Sequence, residues 1–256
     1  MEIIKEVSQF FVLAIGLGTL FCTPIADSSL TGAGFQRLIQ TMVLGSLIIS
    51  FSLYFFSPYF EWGLVVVIYV LALVLSALVH KFHGDQKTRW MWMAYYCQVI
   101  LFLVLGQIFH HEDPQLFTHF FMTALLAGAT NYAMILGHYY LVVPKLSERP
   151  LLITLQLLWI AMLLKLSMTG KGLYENLSFF QEGSDEGLGY MFNWIMVSMR
   201  VLWGYVALFV LSLFAWKLCR IRSIQSATGL FYVMVFFVII GELVSAYLFF
   251  GYGLYL

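Results

Sequence analysis

Charge is what this chain of 256 residues has least of: 10% of its positions are Asp, Glu, Lys or Arg, where soluble domains carry about 25%. That shortage excludes an ordinary water-soluble domain, because 62% of the residues are hydrophobic and too few polar groups remain to cover them. Neither sign is in excess, with 13 basic and 13 acidic residues, so no field gathers phosphates and nucleic-acid binding is excluded. The three cysteines, Cys22, Cys97 and Cys219, form no CxxC pair and no His/Cys group of zinc spacing, which argues against a structural zinc or disulfide. GxSxG, HExxH, P-loop and helix-opening GxGxxG motifs are also missing, and hydrolase and nucleotide chemistries lose their usual signatures with them. The first residues lack the basic start and small-x-small site of a cleaved signal, and Phe21 is too bulky beside Cys22 for a lipoprotein box, so a retained first span is expected.

What is present is a series of apolar runs. A helix needs about 20 mostly apolar residues to cross a bilayer, and eight such spans are expected, at about 4–25, 33–56, 61–82, 90–111, 115–143, 150–168, 190–217 and 226–250. The expected fold class is all-α, a polytopic transmembrane helical bundle forming one integral membrane domain over residues 1–256. Gly170 to Gly189 is the longest connection, read as a solvated loop with a short interfacial helix around Leu173–Phe180. Lys and Arg sort unevenly on the two sides: Arg37, Lys81, Lys87, Arg89, Lys145, Arg149, Lys217, Arg220 and Arg222 against Lys5, Lys171 and a near-interface Lys165. The richer side is expected to be cytoplasmic, which puts both termini outside a bacterial inner membrane.

The stretch Pro114 to Pro144 carries most of the unusual polar residues. At about 100° per residue, His119, Thr123, Ala127, Asn131, Met134 and His138 share an arc of roughly 120°. Lipid does not tolerate such an edge, so it is expected to face protein, water or a cofactor. His119 and His138 stand about 28 Å apart along a helix and need separate partners. On the expected topology His80 and His83 lie near the face where His138 ends, and His110 and His111 near the face where His119 begins. Two groups of three histidines, one per face, suit a haem held between helices near each face. Here Asn131 is a further cofactor-binding candidate, and His138 and His119 are the candidate metal ligands.

Arg200 and Glu242 are charged residues inside two consecutive antiparallel spans, at similar depth in the outer half. An intramembrane charge costs several kcal/mol unless paired, so contact between them is expected. Arg200 can bind an anionic group and Glu242 can carry a proton, which makes them the candidate catalytic pair. Asn193 and Gly204 share Arg200's face, and Ser245 follows Glu242 by one turn. Gly16, Gly18, Thr19, Gly128, Gly241 and Ala246 suit close helix packing.

Three functional expectations follow. The first is a membrane redox protein that binds haem b and exchanges electrons with quinone, Arg200 steadying a propionate or a quinone oxygen. The second is a proton-coupled transporter or channel for a small solute, with Arg200, Glu242, Asn131 and His138 lining the path. The third is a non-catalytic subunit or assembly factor that works with other membrane subunits in the lipid bilayer.

Overall fold

The computed structural model describes residues 2–26, 28–57, 60–82, 89–109, 114–143, 146–182, 187 and 189–256. Among them every regular element is helical. They are α1 (Glu2–Phe21), a short α2 (Ser28–Thr31), α3 (Ala33–Phe55), α4 (Leu64–Lys81), α5 (Arg89–Phe109), α6 (Pro114–Val142), α7 (Arg149–Glu175), α8 (Tyr190–Val201), α9 (Leu208–Arg220) and α10 (Ile224–Tyr252). A π-helical turn, Leu202–Ala207, joins α8 to α9 so that the two form one span. Among the described residues eight helices are long and apolar enough to cross a membrane, as the hydropathy of the sequence requires of an integral membrane protein.

Burial ranks the helices. In α6, 83% of the most apolar stretch is buried, against 33% in α4 and in α5, so α6 is the axis of the bundle. It packs against α1, α7 and α10, while α3, α4 and α5 extend from α1 to one side and α9 lies against α10. The outer helices present Val67, Val70, Leu71, Val74 and Ile100 outward, side chains suited to acyl chains and to nothing in water.

The α1–α6 contact shows why glycine is needed at the axis. A Cβ on Gly18 would stand 1.7 Å from the Ala124 carbonyl oxygen, and one on Gly128 would stand 2.2 Å from the Gly18 carbonyl carbon. The backbones therefore touch, which maximises dispersion contact where no hydrophobic drive exists between helices in lipid. Asn131 Nδ2 donates to Thr19 Oγ1 at 2.9 Å beside this crossing. That fixes register and satisfies the amide away from lipid.

Two features depart from the sequence expectation. The sixth span continues to Glu175 instead of ending near 168, because Gly170 and Gly172 do not break the helix. A Cβ on Gly172 would meet the Tyr255 carbonyl oxygen at 2.1 Å, so this glycine accommodates a neighbouring chain and does not end the helix. The interfacial helix expected around 173–180 is a 3-10 turn, Leu177–Phe180, with Phe179 and Phe180 buried.

Candidate functional site

The site is built by one or two residues from each of four spans. Glu242 of α10 accepts from Arg200 Nη1 of α8 on Oε1 at 2.6 Å. Its other oxygen, Oε2, accepts from Thr123 Oγ1 of α6 at 2.8 Å and from Lys165 Nζ of α7. Lys165 Nζ also donates to Thr123 Oγ1. The three charged side chains are 0–1% exposed. The contact expected between Arg200 and Glu242 is present; the lysine in it was unforeseen.

The π turn explains how Arg200 is oriented. In an α-helix a residue five positions on lies about 140° round the axis, yet Tyr205 Oη receives Arg200 Nη2 at 2.6 Å and its ring lies 4.4 Å from the guanidinium carbon. The widened turn rotates less per residue and returns position i+5 to the same side. Thr169 Oγ1 of α7 holds the Tyr205 hydroxyl at 2.6 Å. Gly204 and Gly241 let α8–α9 and α10 meet: a Cβ on Gly241 would stand 2.5 Å from Gly204 Cα. Arg200 Nε is buried without a hydrogen-bond partner among the described residues.

A second rung lies one turn away. His119 and Thr123 are one turn apart on α6, Glu242 and Ser245 one turn apart on α10, and His119 Nε2 lies 3.0 Å from Ser245 Oγ. Ser245 donates its only hydroxyl proton to a backbone oxygen of Leu256, so His119 Nε2 is the donor in its bond. Leu256 reaches that position because Gly253, at φ 72, caps α10 in the left-handed conformation and the Leu254 N–H bonds back to Leu248 O at 3.2 Å. The segment Gly253–Leu256 then lies beside His119, whose ring is 6.2 Å from that of Tyr255. Beyond it opens a chamber of about 340 Å³ lined by Gln115, Thr118, Met168, Lys171, Gly172, Glu175, Asn176 and Tyr255.

The other candidates are scattered. His138 is exposed, and its Nδ1 lies 3.0 Å from Tyr232 Oη of α10; the expectation that the polar edge of α6 faces inward throughout therefore fails at its last turn. Gly137 faces α10 instead, since its Cβ would meet Thr228 and Phe231 at 2.9 Å. His80 Nε2 lies 3.3 Å from Thr41 Oγ1 of α3. His83, His110 and His111 lie outside the described residues. Asn131 is at the α1–α6 crossing, not with the charges. His119 is packed among Phe10, Phe249 and Tyr255 at centroid distances of 5.6 to 6.2 Å. No group of three or more His, Cys, Asp or Glu that would hold a metal ion occurs among the described residues. The haem and quinone reading gains no ligand pair from them.

Sequence reasoning missed Lys165, Tyr205 and Thr169. One signal pointed to Lys165: it sits among Leu163, Leu164 and Leu166 with no second charge nearby. No family model, curated protein or solved structure matches the chain.

Proposed function

We propose that the protein is a proton-coupled membrane transporter of a small solute, with Glu242 as the proton-carrying group and Lys165 and Arg200 as the cations it holds and releases. The observation that supports this reading is the make-up of the buried cluster: two cations and one carboxylate, all essentially inaccessible. One cation neutralises Glu242. The second adds a desolvation penalty of several kcal/mol and shares the same carboxylate, since no other Asp or Glu side chain among the described residues is paired with either cation, and a cluster that only locks helices gains nothing from it. A site whose occupancy must change does gain from it, because protonating Glu242 makes both cations available to a solute. The Thr123–Glu242 and His119–Ser245 rungs carry polar groups from the cluster to the Gly253–Leu256 segment, whose Tyr255 lines the chamber.

In the same reading the excess of Lys and Arg at the Lys81, Arg149 and Arg220 ends of the helices marks the cytoplasmic side of a bacterial inner membrane. Both termini and the chamber then face outside. The test uses the purified chain in proteoliposomes with an entrapped pH dye, to which small organic acids, amines and sugars are added in turn. At least one class is expected to drive proton movement above that of protein-free vesicles, and Glu242→Gln to abolish it. Absence of solute-driven proton movement, or its persistence in Glu242→Gln, rejects the reading.

A further inference from the structure

We infer that the solute is a small monocarboxylate, carried with one proton per molecule and without net charge movement; this rests on the transport reading above and names its substrate class. The first argument is charge conservation within the site. With both cations protonated, Lys165 and Arg200 against Glu242 leave one positive charge among these three side chains. A proton on Glu242 raises that to two. A monoanion returns it to one, whereas a neutral solute leaves two, a cation makes three and a dianion gives none. In a medium that penalises every change in unpaired charge, only the monoanion allows loading and unloading at constant charge.

The second argument is the donor set. Glu242 is itself a carboxylate held as a carboxylate should be: Arg200 Nη1 on one oxygen, Lys165 Nζ and Thr123 Oγ1 on the other. When the proton neutralises Glu242, these three donors remain placed for a second carboxyl group. In the loading step the O–H bond forms on Glu242, and the incoming carboxylate takes over the donated hydrogen bonds from Lys165 and Arg200. Unloading reverses both, and the proton leaves with the solute. The groups bonded to Glu242 are Lys165 from α7, Arg200 from α8 and Thr123 from α6; Tyr205 of the π turn bonds Arg200, and His119 of α6 and the Leu256 backbone oxygen meet at Ser245, one turn from Glu242. The helices α1 and α9, also packed near α10, carry their ionisable side chains toward their ends, Lys5 and Glu6 on one and Lys217 and Arg220 on the other.

The third argument is the chamber. Met168 and Gly172 are three and seven residues beyond Lys165 on α7, about 5 and 10 Å along the axis, so the chamber lies above the cluster on the same helix. At about 340 Å³ it is of small-molecule size, far larger than a halide needs. Among its described lining residues the cation, Lys171, is 3.6 Å from Glu175, so the two charges offset each other and do not favour a multiply charged anion. Gln115, Thr118 and Asn176 line the chamber as neutral polar groups. The backbone oxygens of Tyr255 and Leu256, against Gly172 and Ser245, lie between chamber and cluster.

The experiment is uptake of radiolabelled pyruvate, an acid strong enough to cross lipid slowly by itself, into proteoliposomes of the full chain. An inward acid gradient is expected to raise uptake about tenfold over protein-free vesicles, and clamping the voltage with potassium and valinomycin to leave it unchanged; succinate is not taken up. Glu242→Gln is expected to retain pyruvate exchange at equal pH and to lose the acceleration by acid. Met168→Trp, which fills the chamber without touching the charges, raises the half-saturating concentration about tenfold at unchanged melting temperature. If pyruvate is ignored while an amine or a sugar moves with protons, the monocarboxylate inference is wrong and the transport reading survives. Uptake that follows voltage overturns electroneutral coupling, and an unchanged half-saturation in Met168→Trp overturns the chamber as the entrance. If no solute of any class moves protons, both readings fail together.

Discussion

The two ends of α6 carry the same residue on the same edge of one helix and do opposite things with it. At one end His119 is 2% exposed, bonded to Ser245 and enclosed by Phe10, Phe249 and Tyr255. At the other His138 is exposed, with the Tyr232 hydroxyl as its partner. The difference lies in the neighbours. Near His119, α1, α10 and the returning Gly253–Leu256 segment close over the helix. Near His138, α10 approaches through Gly137 against Thr228 and Phe231, and the next side chain turns about 100° away. Position on an arc decides which residues share a side; the reach of the surrounding helices decides whether that side is inside.

The sharpest way to break this contrast is to remove the charge at the buried end. Glu242→Ala leaves Lys165 and Arg200 as uncompensated buried cations, and loss of one partner from a buried group of this kind costs about 3–5 kcal/mol. Unfolding in detergent is expected to show that loss, while His138→Ala stays within about 0.5 kcal/mol of the parent, as exposed substitutions do. The triple variant Lys165→Met, Arg200→Met and Glu242→Met is expected to recover the stability and to be inactive in transport. A triple variant that still transports would reduce the cluster to a helix lock.

The next effect falls on the crossing that holds α6 in place. Gly18→Val sets side-chain atoms where the Ala124 backbone already is, and overpacking of this kind costs about 1–3 kcal/mol or more. Gly45→Ala in α3 meets nothing within 4 Å and is expected to raise stability by up to about 1 kcal/mol through helix propensity. Equal effects of the two substitutions in thermal unfolding would contradict backbone contact between α1 and α6. Smaller again is His119→Phe, which removes the donor to Ser245 without emptying the slot and is expected to cost about 1–2 kcal/mol; His138→Phe is expected to be near neutral.

The bundle was legible because hydropathy and length state a membrane helix almost completely, and the Arg200–Glu242 contact because two charges at one depth on adjacent spans have few alternatives. Lys165 was not legible for a definite reason. Gly170, Lys171 and Gly172 read as the end of a span, which set Lys165 at an interface where its long stem would reach water. In the structure the helix runs on to Glu175, with Gly172 set against Tyr255, and Lys165 is therefore ten residues inside. Tyr205 was hidden by the α-helical period itself, since position i+5 faces away from Arg200 until a π turn brings it back. The histidine grouping was a statement about depth alone, and depth does not bring side chains together.

The smallest effect comes from an ion pair at the helix ends and marks what the buried cluster is not. Arg222 Nη2 holds Glu148 Oε2 at 2.9 Å, with the arginine side chain 70% exposed. A backbone amide at its own position, together with Arg222, keeps the Glu148 carboxyl below its ordinary value of 4.5. A carboxylate depressed in the folded state contributes stability above the ordinary value and loses it as pH falls through the lowered one. The melting difference between the parent and Glu148→Gln is therefore expected to be small at neutral pH, to vanish in strong acid, and to shrink in high salt because exposed pairs are screened. Arg222 also sits at φ 59, a left-handed conformation that disfavours side chains other than glycine, so Arg222→Gly exchanges a screened attraction for relieved strain. The melting temperature of Arg222→Gly is expected to match or exceed that of the parent at high salt. A clear loss there would mean that this surface pair is held away from solvent, and the contrast drawn with the interior cluster would narrow.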